Sequence, residues 1–126
     1  MKRLIAVTLA AAILAACTPK PKVTLVKPSS QAIAVATLQR VNTQAHDCWM
    51  DDKAFKAYGL IPELDTTGTP RILVIPKGKP QSLPKLVIAA NGRAVSTFGP
   101  LAQSPLAPRI NADVARWASD STSCSA

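Results

Sequence analysis

Asn91-Gly92 constrains this chain more than any other pair of residues. The favoured two-residue hairpin turn needs φ > 0 at both turn positions, which Asn and Gly accept at little cost, so Asn91-Gly92 between two strand-like runs predicts a β-hairpin with these two residues as its turn. The flanks are such runs: residues 85–90 (KLVIAA) before and residues 93–98 (RAVSTF) after. Gly99-Pro100 ends the second run. Upstream, residues 71–75 (RILVI) are apolar on both faces, which predicts a central strand buried on both sides. Pro76-Lys77-Gly78-Lys79-Pro80 stops that strand, residues 66–70 (TTGTP) form a turn cluster before it, and residues 61–64 offer an edge strand. The sheet is therefore antiparallel, with three or four strands.

Helical periodicity brackets this β region. Ser29 and Ser30 stand where an N-cap belongs, and Ala34, Leu38, Val41, Ala45 and Cys48 then recur at spacings of four and three. That is one apolar helical face over residues 31–50, uninterrupted by proline or glycine, with Arg40, Asn42 and Thr43 pointing outward. Asp51-Asp52 opens a loop, and the weakly helical residues 53–58 end at Gly59. Residues 101–108 are a proline-bearing connector. Leu106, Ile110, Val114 and Trp117 then predict a second helix over residues 109–119. The fold class is α+β: a small single domain over residues 31–126, with an N-terminal helix, the sheet and a C-terminal helix.

The front of the chain reads differently. Lys2 and Arg3 precede residues 4–14 (LIAVTLAAAIL), eleven residues with one polar member, Thr8. This fits the apolar region of a secretory signal and falls short of the roughly 20 residues needed to span a bilayer. At its end, Leu14-Ala15-Ala16-Cys17 resembles the lipobox of bacterial lipoproteins. The resemblance implies cleavage before Cys17, a diacylglycerol thioether on its thiol and an acyl group, such as palmitate, on the freed amine. Residues 1–16 are then a signal peptide that is removed. Residues 17–30 are the lipidated cysteine and a Pro/Lys-rich tether (TPKPKVTLVKPSS after Cys17), although Val23-Thr24-Leu25-Val26 would also serve as a short first strand. In the enterobacterial sorting rule an Asp after the cysteine retains a lipoprotein in the inner membrane. Thr18 occupies that position here, which favours the outer membrane, periplasmic face, over the inner membrane.

Two cysteines remain. In an exported compartment Cys48 and Cys124 are most simply one disulfide, tying the end of the first helix to the tail after the second. It would close a loop of about 77 residues and contribute on the order of 4 kcal/mol in the chain-entropy model. A bridge to another protein stays open as the alternative. There is no C-x-x-C pair to suggest redox work.

The formal charge of the whole chain is +8. Lys20, Lys22, Lys27, Lys77, Lys79 and Lys85 lie beside prolines, spread out and without interleaved aromatics, so nucleic-acid binding is not expected. His46 is the only histidine, and on a helix it points about 200° away from Cys48, which argues against a Cys-His nucleophile. Asp47, Asp51 and Asp52 lack Ca²⁺-loop spacing and read as a solvated helix end, so no metal is expected. Glu63 and Asp65 have no accompanying cleft signal, Asp65-Thr66-Thr67-Gly68-Thr69 lacks any partner motif, and Ser96 and Ser104 lie outside a G-x-S-x-G context. Trp49 and Trp117 read as core residues beside the disulfide. No catalytic constellation and no cofactor site emerges, and the chain is not expected to be an enzyme.

The domain itself carries a second resemblance. Residues 58–64 (YGLIPEL), 70–77 (PRILVIPK), 84–87 (PKLV) and 98–101 (FGPL) are similar to a set of small uncharacterised lipoproteins of rhizobium-type alphaproteobacteria. The similarity covers most of residues 48–124, both cysteines included, and implies location and fold but no site residues. The expected function is a non-enzymatic, membrane-anchored envelope lipoprotein, a structural or interaction module facing the periplasm and partnering an envelope assembly. One alternative is a binding module for an anionic ligand, lipopolysaccharide or peptidoglycan, through Lys77, Lys79 and Lys85 on neighbouring strand ends. Another is a small lipoprotein subunit of a secretion-type assembly, bridged to a partner through a cysteine.

Overall fold

The computed structural model describes residue 17, residues 26–65 and residues 67–124. Residues 1–16, read above as a signal peptide ending in a lipobox, and residues 18–25 of the expected tether lie outside the described residues, as do the first three positions of the alternative strand.

Helix α1 spans Ser30–Trp49. Ser29 is its N-cap: extended, with its hydroxyl oxygen accepting from the Ala32 N–H at 3.1 Å. The predicted face is buried, and it includes Thr37, whose hydroxyl donates to the Ile33 carbonyl at 2.8 Å and so enters the core with its polar atom satisfied. Turns over residues 50–57, rather than a further helical stretch, then carry Phe55 into the core. Strand β1 spans Tyr58–Glu63 and starts three residues before the expected edge strand. Gly59 does not stop the chain, and Pro62, which cannot donate to a ladder, is tolerated because β1 is an edge.

Strands β2 (Arg71–Pro76), β3 (Leu86–Asn91) and β4 (Ala94–Phe98) complete a four-stranded antiparallel meander in the order β1-β2-β3-β4. The hairpin falls where Asn-Gly predicts it, shifted by one residue. Asn91 pairs with Ala94, so the turn is Gly92-Arg93, with Gly92 at φ 59° and no positive φ at Arg93. A positive φ at the first turn position alone is the type II′ pattern rather than I′. Asn91 is thereby freed to accept a hydrogen bond from the Ser30 hydroxyl at 3.3 Å, and Gln31 donates to the Gly68 carbonyl at 3.1 Å. The start of α1 is thus pinned to the hairpin end of the sheet.

A 3₁₀ turn, Pro100–Gln103, leads to helix α2, Ala107–Ala118. Pro108 belongs to the first turn of α2 and not to the connector, because a first-turn residue has no intrahelical use for an N–H. Both helices pack on one face of the sheet, around Ile72, Val74, Leu86, Ile88 and Ala90. The expectation that residues 71–75 are buried on both sides is corrected accordingly. β2 is central, but no described element covers its second face, where Leu73 stays half-buried.

Cys48 and Cys124 are disulfide-bonded, with Cα atoms 5.0 Å apart, and they tie the end of α1 to the tail beyond α2. Beside them Trp49 stacks on Phe55 at 4.5 Å and meets Trp117 edge-on at 5.1 Å. The Trp49 indole N–H donates to Asp113 at 2.8 Å. Asp113 is almost fully buried, and Arg116 and Arg109 both pair with it. Arg116 also donates to the Cys124 carbonyl at 2.9 Å, and the Trp117 N–H donates to the Ser123 carbonyl at 2.8 Å. One buried carboxylate therefore links α1, α2 and, through Arg116, the stapled tail.

Candidate functional site

The four antiparallel strands give the sheet two ends. At one lie the start of α1, the β3–β4 turn and the β1–β2 connection. At the other lie the turns over residues 50–57, the β2–β3 loop and the 3₁₀ turn. Lys77, Lys79 and Lys85 all belong to this second end. They sit on one loop, residues 77–85, rather than on separate strand ends. The loop backbone is fixed: the Lys77 N–H donates to the Ala57 carbonyl at 2.8 Å, Lys79 to Pro76 at 3.1 Å, Ser82 to Lys79 at 3.0 Å and Lys85 to Val74 at 2.8 Å. Gly78, at φ 75°, supplies the left-handed step this path requires. The three lysine side chains are exposed, as are Lys53 and Lys56 on the neighbouring turns.

Two carboxylates lie on the turns at this end, and one of them, Asp51, is exposed beside Lys53. Asp52 accepts from the Arg109 guanidinium at 2.7 Å, and this bond, followed by one from the Ala54 N–H, holds its carboxyl below the usual range. The same pair pushes Arg109 up. Arg109 also lies over the Phe55 ring, 5.1 Å from its centroid, so Asp52 is tied to the core side of the domain. No acidic residue occurs in the sequence between Asp65 and Asp113.

The uncovered sheet face is a second candidate. The register sets Ile61, Leu73, Val87 and Phe98 in one row across all four strands, with Glu63, Arg71, Ala89 and Ser96 in the next. A hollow of about 750 Å³ opens over the second row between Gly68, Asn91 and Phe98. Its one carboxylate, Glu63, is ion-paired with Arg71 directly opposite. Neither a histidine nor a thiol lines it. The hollow thus offers apolar area and a neutralised charge pair.

The remaining sequence candidates are not brought together. Cys17 is exposed with a free thiol. His46 is exposed on α1, and the sulfur of Cys48, spent in the disulfide, is no nucleophile. Among the described residues, no group of three or more His, Cys, Asp or Glu is placed to hold a metal ion. No described helix is long and apolar enough to cross a membrane.

Sequence reading missed two features. Leu83, at the tip of the lysine loop, is 83% exposed, and Phe98 on β4 is 57% exposed. Leu83 lies in a proline-flanked polar stretch, a weak signal for exposure. Phe98 ends a strand whose outward positions are otherwise Ala94 and Ser96. The chain matches no family model, no curated protein and no solved structure.

Proposed function

We propose that this protein is a non-enzymatic envelope module, held by lipid at Cys17 on the periplasmic face of the outer membrane and acting through what its surface binds. The observation that carries this reading is the division of labour among three cysteines. Cys48 and Cys124 pair with each other, while Cys17 remains exposed and free at the end of the Leu14-Ala15-Ala16-Cys17 pattern. A structural role for Cys17 would call for a partner sulfur or a place in the core. Acyl chains contribute about 0.8 kcal/mol per buried methylene, and two or three chains hold a protein on a bilayer without a spanning helix.

Cells fed radiolabelled palmitate test this. The parent protein is expected to incorporate label and to fractionate with membranes, and Cys17→Ser to lose both. Equal labelling of the two would remove the anchor from the account.

A second reading is favoured by the lysine loop, which carries Lys77, Lys79 and Lys85 with no acidic residue among them. It makes the domain a binder of anionic envelope material. Pairing of Cys48 with Cys124 takes both sulfurs out of any bond to another protein, so a subunit role in a secretion-type assembly would rest on non-covalent contacts.

A further inference from the structure

We infer that the β2–β3 loop docks on an anionic phospholipid bilayer, with Leu83 entering the acyl margin and Lys77, Lys79 and Lys85 meeting the headgroup phosphates. This deepens the anionic-ligand reading above by naming the ligand class, and it does not depend on the anchor at Cys17.

Two independent observations converge on this end of the sheet. The first is charge: five exposed lysines, at positions 53, 56, 77, 79 and 85, share it against one exposed carboxylate on the same turns, Asp51, while Asp52 is tied to Arg109. The second is apolar exposure. Of the three large apolar side chains left exposed among the described residues, Leu83 lies on the lysine loop itself; Phe98 closes β4 at this end but faces the uncovered side of the sheet, and Val26 precedes α1 at the other end. A hydrated glycan polymer would neutralise the lysines but leave Leu83 in water. A bilayer surface satisfies both, since lysine stems lie along apolar surface while their ammonium groups stay at the phosphates. The folding of the loop favours the same conclusion: four backbone hydrogen bonds, at Lys77, Lys79, Ser82 and Lys85, shape it on either side of Leu83, so part of the ordering is done before any surface arrives.

The position of the loop is compatible with a two-point attachment. The chain enters α1 at the opposite end of the sheet, beside Asn91. α1 has 20 residues and a length of about 30 Å. Residues 17–29 can extend over at most about 45 Å. A domain anchored at Cys17 can therefore lie down and place its lysine loop on the same bilayer.

The test uses the full chain carrying Leu83→Trp as a local reporter; native Trp49 and Trp117 are fully buried and contribute a constant background. It is mixed with vesicles of phosphatidylglycerol and phosphatidylethanolamine whose chains are brominated, and with vesicles lacking phosphatidylglycerol. The expected result is a blue shift and quenching of the reporter on the anionic vesicles only. Lys77→Gln, Lys79→Gln and Lys85→Gln should each weaken this partition about fivefold, and high salt should abolish it. In the full chain carrying Cys17→Ser, which lacks the proposed anchor, Leu83→Ser should lower sedimentation with the anionic vesicles about tenfold. Because every substituted side chain is exposed, thermal melts should stay unchanged.

A protein that sediments with vesicles while its reporter stays unquenched would keep the anchor and overturn the loop. Equal quenching on neutral vesicles, unaffected by salt, would also overturn the proposal, because the lysines would then have no role. So would a reporter that responds to peptidoglycan fragments or lipopolysaccharide and not to phospholipid vesicles.

Discussion

On β3, Ile88 and Val87 are neighbours in sequence and face opposite ways. Ile88 points into the two helices and is fully buried, whereas Val87 lies on the uncovered side and is only half-buried. The same contrast runs along β2, between Ile72 and Leu73. Apolar character alone does not decide burial, because the strands are apolar on both faces and the helices cover one. The covered face supplies the packing that makes the domain stable. The uncovered face and the lysine loop contribute less to folding and are correspondingly free to make contacts.

The largest effect that could break this comparison concerns the fastening of the cover. Reducing Cys48–Cys124, or substituting both by Ser, should lower unfolding free energy by about 4 kcal/mol, read from urea midpoints with and without reductant. A negligible loss would mean that the tail is held by Arg116 and Trp117 alone. Next, Asp113→Ala should cost about 3 kcal/mol, because it takes the carboxylate from Arg116 and leaves the buried Trp49 N–H without its acceptor, whereas Asp113→Asn should recover part of the loss. Full recovery would reduce Asp113 to a hydrogen-bond acceptor with no electrostatic share.

The two faces are compared directly by truncating adjacent residues. Ile88→Ala should cost about 3 kcal/mol and Val87→Ala about 1 kcal/mol or less. Equal losses in the purified domain would mean that the second face is covered after all. The smallest expected effect is in pH. Because the carboxyl of Asp52 is depressed by Arg109, its contribution is present above the ordinary carboxylate value of about 3.9 and is lost as pH falls through the lower folded-state value. Asp52→Asn should therefore be less stable than the parent at pH 6 and equal to it at strongly acidic pH. A gap that persists in acid would assign the effect to shape rather than charge.

How legible this was depended on the range of the cause. The apolar face of α1 was readable because Ala34, Leu38, Val41, Ala45 and Cys48 repeat within one element, and the disulfide because only two cysteines were left to pair. The hairpin was readable in place but not in register: Asn-Gly admits more than one turn type, and the bond from Ser30 to Asn91 fits the type with Asn91 in the strand. β1 was placed three residues late because Gly59 looks like the breaker that ends residues 53–58, yet an edge strand tolerates it. Asp113 could not be singled out, since its decisive partner, Trp49, lies 64 residues away. Of the candidate surface, the lysines were visible as charges without a folding role. Leu83 and Phe98 were not, because exposure of an apolar residue is a property of the folded surface and not of the residue type.

Lipid at Cys17 remains the claim on which the functional account stands. Intact-mass measurement of the protein extracted from its own membrane tests it most directly. The account predicts a chain that starts at Cys17 and carries a diacylglycerol thioether together with an N-acyl group. A chain that still contains residues 1–16, or one that starts elsewhere with an unmodified Cys17, would contradict it.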